Sequence, residues 1–99
     1  MSDRVVAVII KRKPDLFEGL RTTLGLAVEN IVVAMFVLDI DIDIDEHSDE
    51  FKENLEWLDE LECEYYSNKK ANIQYGFKYL DMTNIVKRLE KMDNIIPFN

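Results

Sequence analysis

Two runs of apolar, mostly β-branched residues organise the hydrophobic pattern. The first is RVVAVIIK, Arg4 to Lys11. The second is IVVAMFVL, Ile31 to Leu38, eight apolar residues without a break. Runs of this length and composition predict strands buried on both faces, as in a parallel sheet. The second run then changes at Asp39 into strict alternation, DIDIDID, through Asp45. Read as a continuing strand, this places four carboxylates on one face and Ile40, Ile42 and Ile44 on the other, which need a cover.

Helical spacing fills the intervals. Pro14 suits the first turn of a helix, where its missing N–H costs nothing. Leu16, Phe17, Leu20, Leu24, Ala27 and Val28 then recur with helical period, and Asn30 stops the helix. Gly19 and Gly25 each cost a helix about 1 kcal/mol relative to Ala, which predicts close packing of both against the sheet. Ser48 or Asp49 caps a second helix with Phe51, Leu55, Leu58 and Leu61 on one face. ECEYY, Glu62 to Tyr66, is a short weak strand, and Ser67–Lys70 reads as a loop. Ala71–Leu80 reads either as a helical turn stopped at Gly76 or as a ragged extended piece. Asp81 or Thr83 caps a third helix with Ile85, Val86, Leu89 and Met92 inward. Ile95–Phe98 is a last strand that Pro97 confines to a sheet edge.

The order is strand and helix in alternation over one domain, residues 1–99, with no repeat or linker. It predicts an α/β fold: a mainly parallel sheet of four or five strands with helices on both faces. Ligands of such sheets sit beyond the carboxyl ends of the strands. That rule gathers Lys11–Lys13, Asp39–His47 and Ser67–Lys70 at one rim.

The net charge of −8 opposes binding to nucleic acid or to an anionic membrane. No run reaches the roughly 20 apolar residues of a transmembrane helix. No charged leader precedes a long apolar core, so no signal peptide is expected. A single cysteine forms neither an internal disulfide nor a Cys-rich metal site. These features together predict a cytoplasmic protein.

The candidate chemistry is thin. The Asp39/Asp41/Asp43/Asp45 ladder lacks the glycine and terminal glutamate of a calcium loop; a solvated flap or a surface for a basic partner fits better. Lys11, Arg12 and Lys13 precede a helix N-terminus, a setting that favours anions. No glycine-rich phosphate loop is present, and no cofactor is expected. Cys63 stands between Glu62 and Glu64, where neighbouring carboxylates disfavour a thiolate. His47 has no nucleophile to partner and reads as an exposed loop residue.

The segment EGLRTTLGLAVENIVVAMFVLDIDI, Glu18 to Ile42, resembles the helix-and-strand segment of the DsrE/DsrF-like family of small sulfur-relay proteins. KRLEKMDNIIPF, Lys87 to Phe98, is similar to that family's last helix and closing strand. The resemblance implies a flavodoxin-like three-layer α/β/α fold and assembly into trimers or hexamers, homomeric or with sister subunits. Sulfur-transferring members carry a cysteine after the third strand; on this chain that position falls near Ser67 or Asn68, and Cys63 comes too early. The resemblance therefore implies a binding or partner subunit linked to sulfur metabolism, without its own transfer cysteine. The alternative is a persulfide carrier that uses Cys63.

Two expectations follow. Lys11, Arg12, Lys13, Asp39, Ser67, Asn68 and Lys69 form a shallow pocket at the N-terminus of the first helix that accepts a small oxyanion or a partner's acidic tail without turnover. The aromatic surplus among Tyr65, Tyr66, Tyr75, Phe77 and Tyr79, together with Ile40, Ile42 and Ile44, is covered by another subunit.

Overall fold

A computed structural model describes residues 4–98. The two apolar runs form β1 (Val5–Ile10) and β2 (Val32–Val37), which pair in parallel from Val5↔Val32 to Ile10↔Val37. β3 (Glu64–Ser67) adds to the other side of β2, and the two-residue β4 (Lys78–Tyr79) adds to β3. β5 (Asn94–Phe98) returns to the free side of β1. The sheet is parallel throughout, in the order β4-β3-β2-β1-β5. β5 is an edge strand, so Pro97, which has no N–H, interrupts no interior ladder.

α1 (Leu16–Val28) follows a 3-10 turn, Lys13–Asp15, with Pro14 in its first turn. It ends at Asn30, whose φ of 65° lets the Ile31 N–H reach back to the Leu26 carbonyl at 3.1 Å. Asn tolerates this left-handed backbone better than most residues. α2 (Asp49–Glu60) is capped by Ser48, whose hydroxyl oxygen accepts from the Phe51 N–H at 3.2 Å. α3 (Met82–Leu89) is capped by Asp81, which accepts from the Asn84 N–H at 2.9 Å. Both caps satisfy donors that a helix leaves free in its first turn.

Alternation along the strands divides the core in two. Val6, Val8, Ile10, Val33, Met35 and Val37 face α1 and α2, meeting Leu16, Leu20, Leu24, Phe51, Leu55 and Leu58. Ala7, Ile9, Ala34, Phe36, Leu38 and Tyr66 point the other way and meet Ile85 of α3. The result is a three-layer α/β/α sandwich of flavodoxin-like type. Its two helical layers are unequal: two long helices cover one face and the eight-residue α3 covers the other. Beside α3, the amino-terminal end of β2 is left bare, and Val32 is exposed.

The structure corrects four expectations. The acidic segment is not a strand: Asp39 turns the chain with φ of 59°, and a 3-10 turn forms at Ile44–Glu46. The isoleucines of that segment are covered by this chain, with Ile40 and Ile42 only 3% and 5% exposed and Ile44 packed against the core. Ile40 and Ile42 thus find their cover within this chain, and Ile44 finds part of it there. Most of the aromatic cluster is also internal, since Tyr65, Tyr66 and Phe77 are buried and Tyr75 packs on the core; Tyr79 remains exposed. Val86 lies outward on α3 rather than inward, because a short helix on a twisted sheet buries a narrower stripe than its spacing allows.

The two helix glycines part company. A Cβ on Gly19 would collide with the Ile10 side chain, so this glycine does set the approach of α1 to β1. Gly25 is exposed, and among the described residues no neighbouring atom lies within 4 Å of a Cβ placed there. The close-packing expectation therefore holds for one of them. The ambiguous segment resolves into a 3-10 helix, Lys70–Tyr75, stopped by Gly76 at φ of 95°, followed by β4.

Candidate functional site

Parallel pairing places the carboxyl ends of β1, β2 and β3 at one rim, as the sequence implies. The Leu38 N–H continues the ladder to the Ile10 carbonyl at 2.9 Å, which sets Lys11 beside the turn at Asp39. Val37 pairs with Ser67, which sets the start of the next loop on the other side.

Side chains lock this rim together. Asn68 accepts from the Asp39 backbone N–H through Oδ1, and its Nδ2 donates to the Asp39 carboxylate, both at 2.8 Å. This two-point grip accounts for a non-glycine residue at positive φ. Asn72 is fully buried one layer below. Its Oδ1 accepts from the Ile42 N–H at 2.9 Å, and its Nδ2 donates to the Ile40 carbonyl at 2.7 Å and to Ser67 Oγ at 2.9 Å. Ser67 Oγ also accepts from the Lys69 N–H at 3.1 Å. Among the described residues no buried side-chain polar atom lacks a partner.

Of the seven residues singled out in sequence, Asp39 and Asn68 are paired with one another. Ser67 is buried, its hydroxyl oxygen taken by two donors. Arg12 is drawn to Asp15 at 3.0 Å, a contact that raises its pKa further. Lys11, Lys13 and Lys69 make no ion pair among the described residues, and Lys11 and Lys13 are exposed. Lys70 rests over the Tyr79 ring, 5.4 Å from its centre. The rim is thus a hydrogen-bonded scaffold bearing lysines outside any ion pair among the described residues, with the Asn68 and Asn72 carboxyamides already engaged.

Asn72 was not visible in the local pattern, because it sits in the stretch whose secondary structure was ambiguous and its partners are about thirty residues away. His47 is half-buried rather than free, stacked on Phe51 with ring centres 4.1 Å apart.

Cys63 lies at the opposite end of the sheet, one residue before β3, partly buried against the α1/α2 core. Burial pushes its thiol pKa up, so the reactive thiolate is disfavoured there. The acidic ladder makes no metal cage: among the described residues, no three His, Cys, Asp or Glu side chains gather in a way that could hold a metal ion. Among the same residues no helix is long and apolar enough to cross a membrane. No protein-family model matches the chain, and no curated protein matches it.

Proposed function

We propose that this chain is a DsrE-like binding or partner subunit linked to sulfur metabolism, which takes up a small oxyanion or a partner's acidic tail and performs no sulfur transfer of its own. The flavodoxin-like layering supports the reading at the level of architecture. The observation that carries it is the place of the only cysteine. Ligands of parallel α/β sheets collect beyond the carboxyl ends of the strands, where Lys11, Arg12, Lys13, Asp39, Ser67, Asn68 and Lys69 stand. Cys63 precedes β3 at the far end, with its thiol pKa raised. Ser67 cannot replace it as a nucleophile, since its oxygen accepts from Asn72 and Lys69.

Binding at the carboxyl rim is weak and salt-sensitive in this reading. The exposed lysines attract an anion, while Asp39, Asp41, Asp43 and Asp45, all exposed, oppose it, and added salt screens these surface charges. Titration with sulfate, thiosulfate and phosphate, followed by amide chemical shifts, tests the reading. Residues 11–16 and 67–70 should move, and the movement should vanish in a Lys11→Ala/Lys13→Ala double variant. A titration that leaves those residues still, or moves them equally in the double variant, refutes the pocket.

A further inference from the structure

Two surfaces on opposite layers of the sandwich are unaccounted for by the chain's own packing. On the α1/α2 layer, Trp57 is 48% exposed and Val28 47% exposed. They border a hollow of about 270 Å³ whose floor includes Gly25. A glycine inside a helix is unfavourable, and among the described residues no neighbouring atom requires one at position 25. Glu50 lines the same hollow, and Glu53 and Glu60 lie one helical turn either side of Trp57, both exposed. Arg21 lines the hollow as well but is paired with Glu18 at 3.4 Å, so the surface is apolar at its centre and predominantly acidic at its rim.

On the other layer, the bare ends of β1 and β2 beside α3 form an open groove of about 640 Å³. Val5, Val32 and Met92 give it an apolar lining, and Lys87, Arg88 and Lys91 line it from α3 and the turn after it. Glu62 and Glu64 reach the same groove. Glu64, however, accepts the Tyr66 hydroxyl hydrogen bond and lies 4.0 Å from Arg88, whose guanidinium sits 4.9 Å from the centre of the Tyr66 ring. Lys87 and Lys91 have no ion-pair partner among the described residues. In a chain of net charge −8, three cations against two carboxylates leave a locally positive margin around an apolar floor.

We propose that the groove beside α3 receives the Trp57 face of a second copy of this chain, with Glu50, Glu53 and Glu60 of one copy opposite Lys87, Arg88 and Lys91 of the next. The two surfaces are opposite in sign of charge, and each has an apolar centre; half-exposed tryptophans ringed by polar residues are typical interface anchors. Because they lie on opposite faces of one molecule, the contact is head-to-tail and closes into a ring or extends as a filament. The inference rests on the partner-subunit reading above and specifies the surfaces that such a subunit uses.

The test uses charge reversal and the chain's single tryptophan. Sedimentation velocity across the micromolar range should show association of the wild type. Its Trp57 emission should shift to the blue as concentration rises and the indole leaves water. Lys87→Glu/Lys91→Glu and Glu53→Lys/Glu60→Lys should each weaken association more than about tenfold. An equimolar mixture of the two variants should associate again, because each restores the opposite sign to the other. All four positions are exposed, and circular dichroism verifies the fold of each variant. A Trp57→Ser variant that stays monomeric agrees with the same contact. A wild type that remains monomeric, or double variants that associate like the wild type, overturn the proposal. A monomer that still answers an acidic amphipathic peptide or a small organic anion at Lys87 and Lys91 overturns it in favour of that ligand. None of these outcomes bears on Cys63 chemistry, so the two readings fail separately.

Discussion

Asn72 holds Ile42 as a neighbouring strand would. Its carboxyamide accepts from the Ile42 N–H and donates to the Ile40 carbonyl, a double contact made across thirty residues of chain. The Asp-Ile alternation has the period of a strand, and on the Ile side it finds strand-like hydrogen bonds. They come from one side chain rather than from a ladder. That substitution folds Ile40 and Ile42 inward and turns the aspartates to solvent.

Replacing Asn72 by alanine leaves a buried N–H and a buried carbonyl without partners and frees one side of Ser67. An unsatisfied buried polar group costs about 1–3 kcal/mol. We expect Asn72→Ala to lower unfolding stability by about 2–4 kcal/mol in urea titration. Amide exchange at Ile42 should quicken as well. Unchanged stability with slow exchange at Ile42 would mean that the segment holds itself.

The contrast between Gly19 and Gly25 gives opposite signs for one substitution. Gly19→Ala drives a methyl into Ile10, which is fully buried and has little room to yield; overpacking of this kind costs about 1–3 kcal/mol. Shortening the neighbour in a Gly19→Ala/Ile10→Val double variant should recover part of that loss. Gly25→Ala meets nothing and should stabilise the monomer by about 0.5–1 kcal/mol through helix propensity. Thermal and urea melts of the three variants check the signs.

Stability at high pH should track Tyr66. Burial first, then its hydrogen bond to Glu64 and the charge of that carboxylate, push the Tyr66 pKa up to about 12, against a smaller opposing pull from Arg88. The folded state therefore keeps a proton that the unfolded chain releases near pH 10. The stabilisation is full below that pH and is lost as pH rises toward the folded value. Urea midpoints at about pH 9 and about pH 11.5 should fall steeply for the wild type and less for Tyr66→Phe. A residual slope remains in the variant, because burial and Asp59 raise Tyr65 as well. Equal slopes in the two proteins would contradict the assignment.

The two central strands, the three helices and the parallel sense of the sheet were legible because each rests on local pattern. By contrast, β4 was hidden in an ambiguous stretch, and β3 runs on to Ser67, which reads as loop. Val5–Ile10 and Val32–Val37 announce themselves by unbroken apolar runs, and Ser48 and Asp81 by their place before periodic segments. The Asp39–Asp45 segment misled for a physical reason: period-two burial shows that alternate side chains are covered and is silent about what satisfies the backbone. The partner was Asn72, in a stretch where Gly76 and a 3-10 helix blur any period. The rim was legible in outline, since parallel strands must end together. Its internal locking through Asn68 and Asn72 was not, because it consists of single long-range side-chain contacts.

Intact mass after incubation with a persulfide donor separates the proposed binding subunit from a sulfur carrier. The wild type should keep its own mass, as should Cys63→Ser, because Cys63 precedes β3 partly buried and with its thiol pKa pushed up by that burial. A stable gain of one sulfur on the wild type, absent from Cys63→Ser, would contradict the binding-subunit reading and make this chain a persulfide carrier.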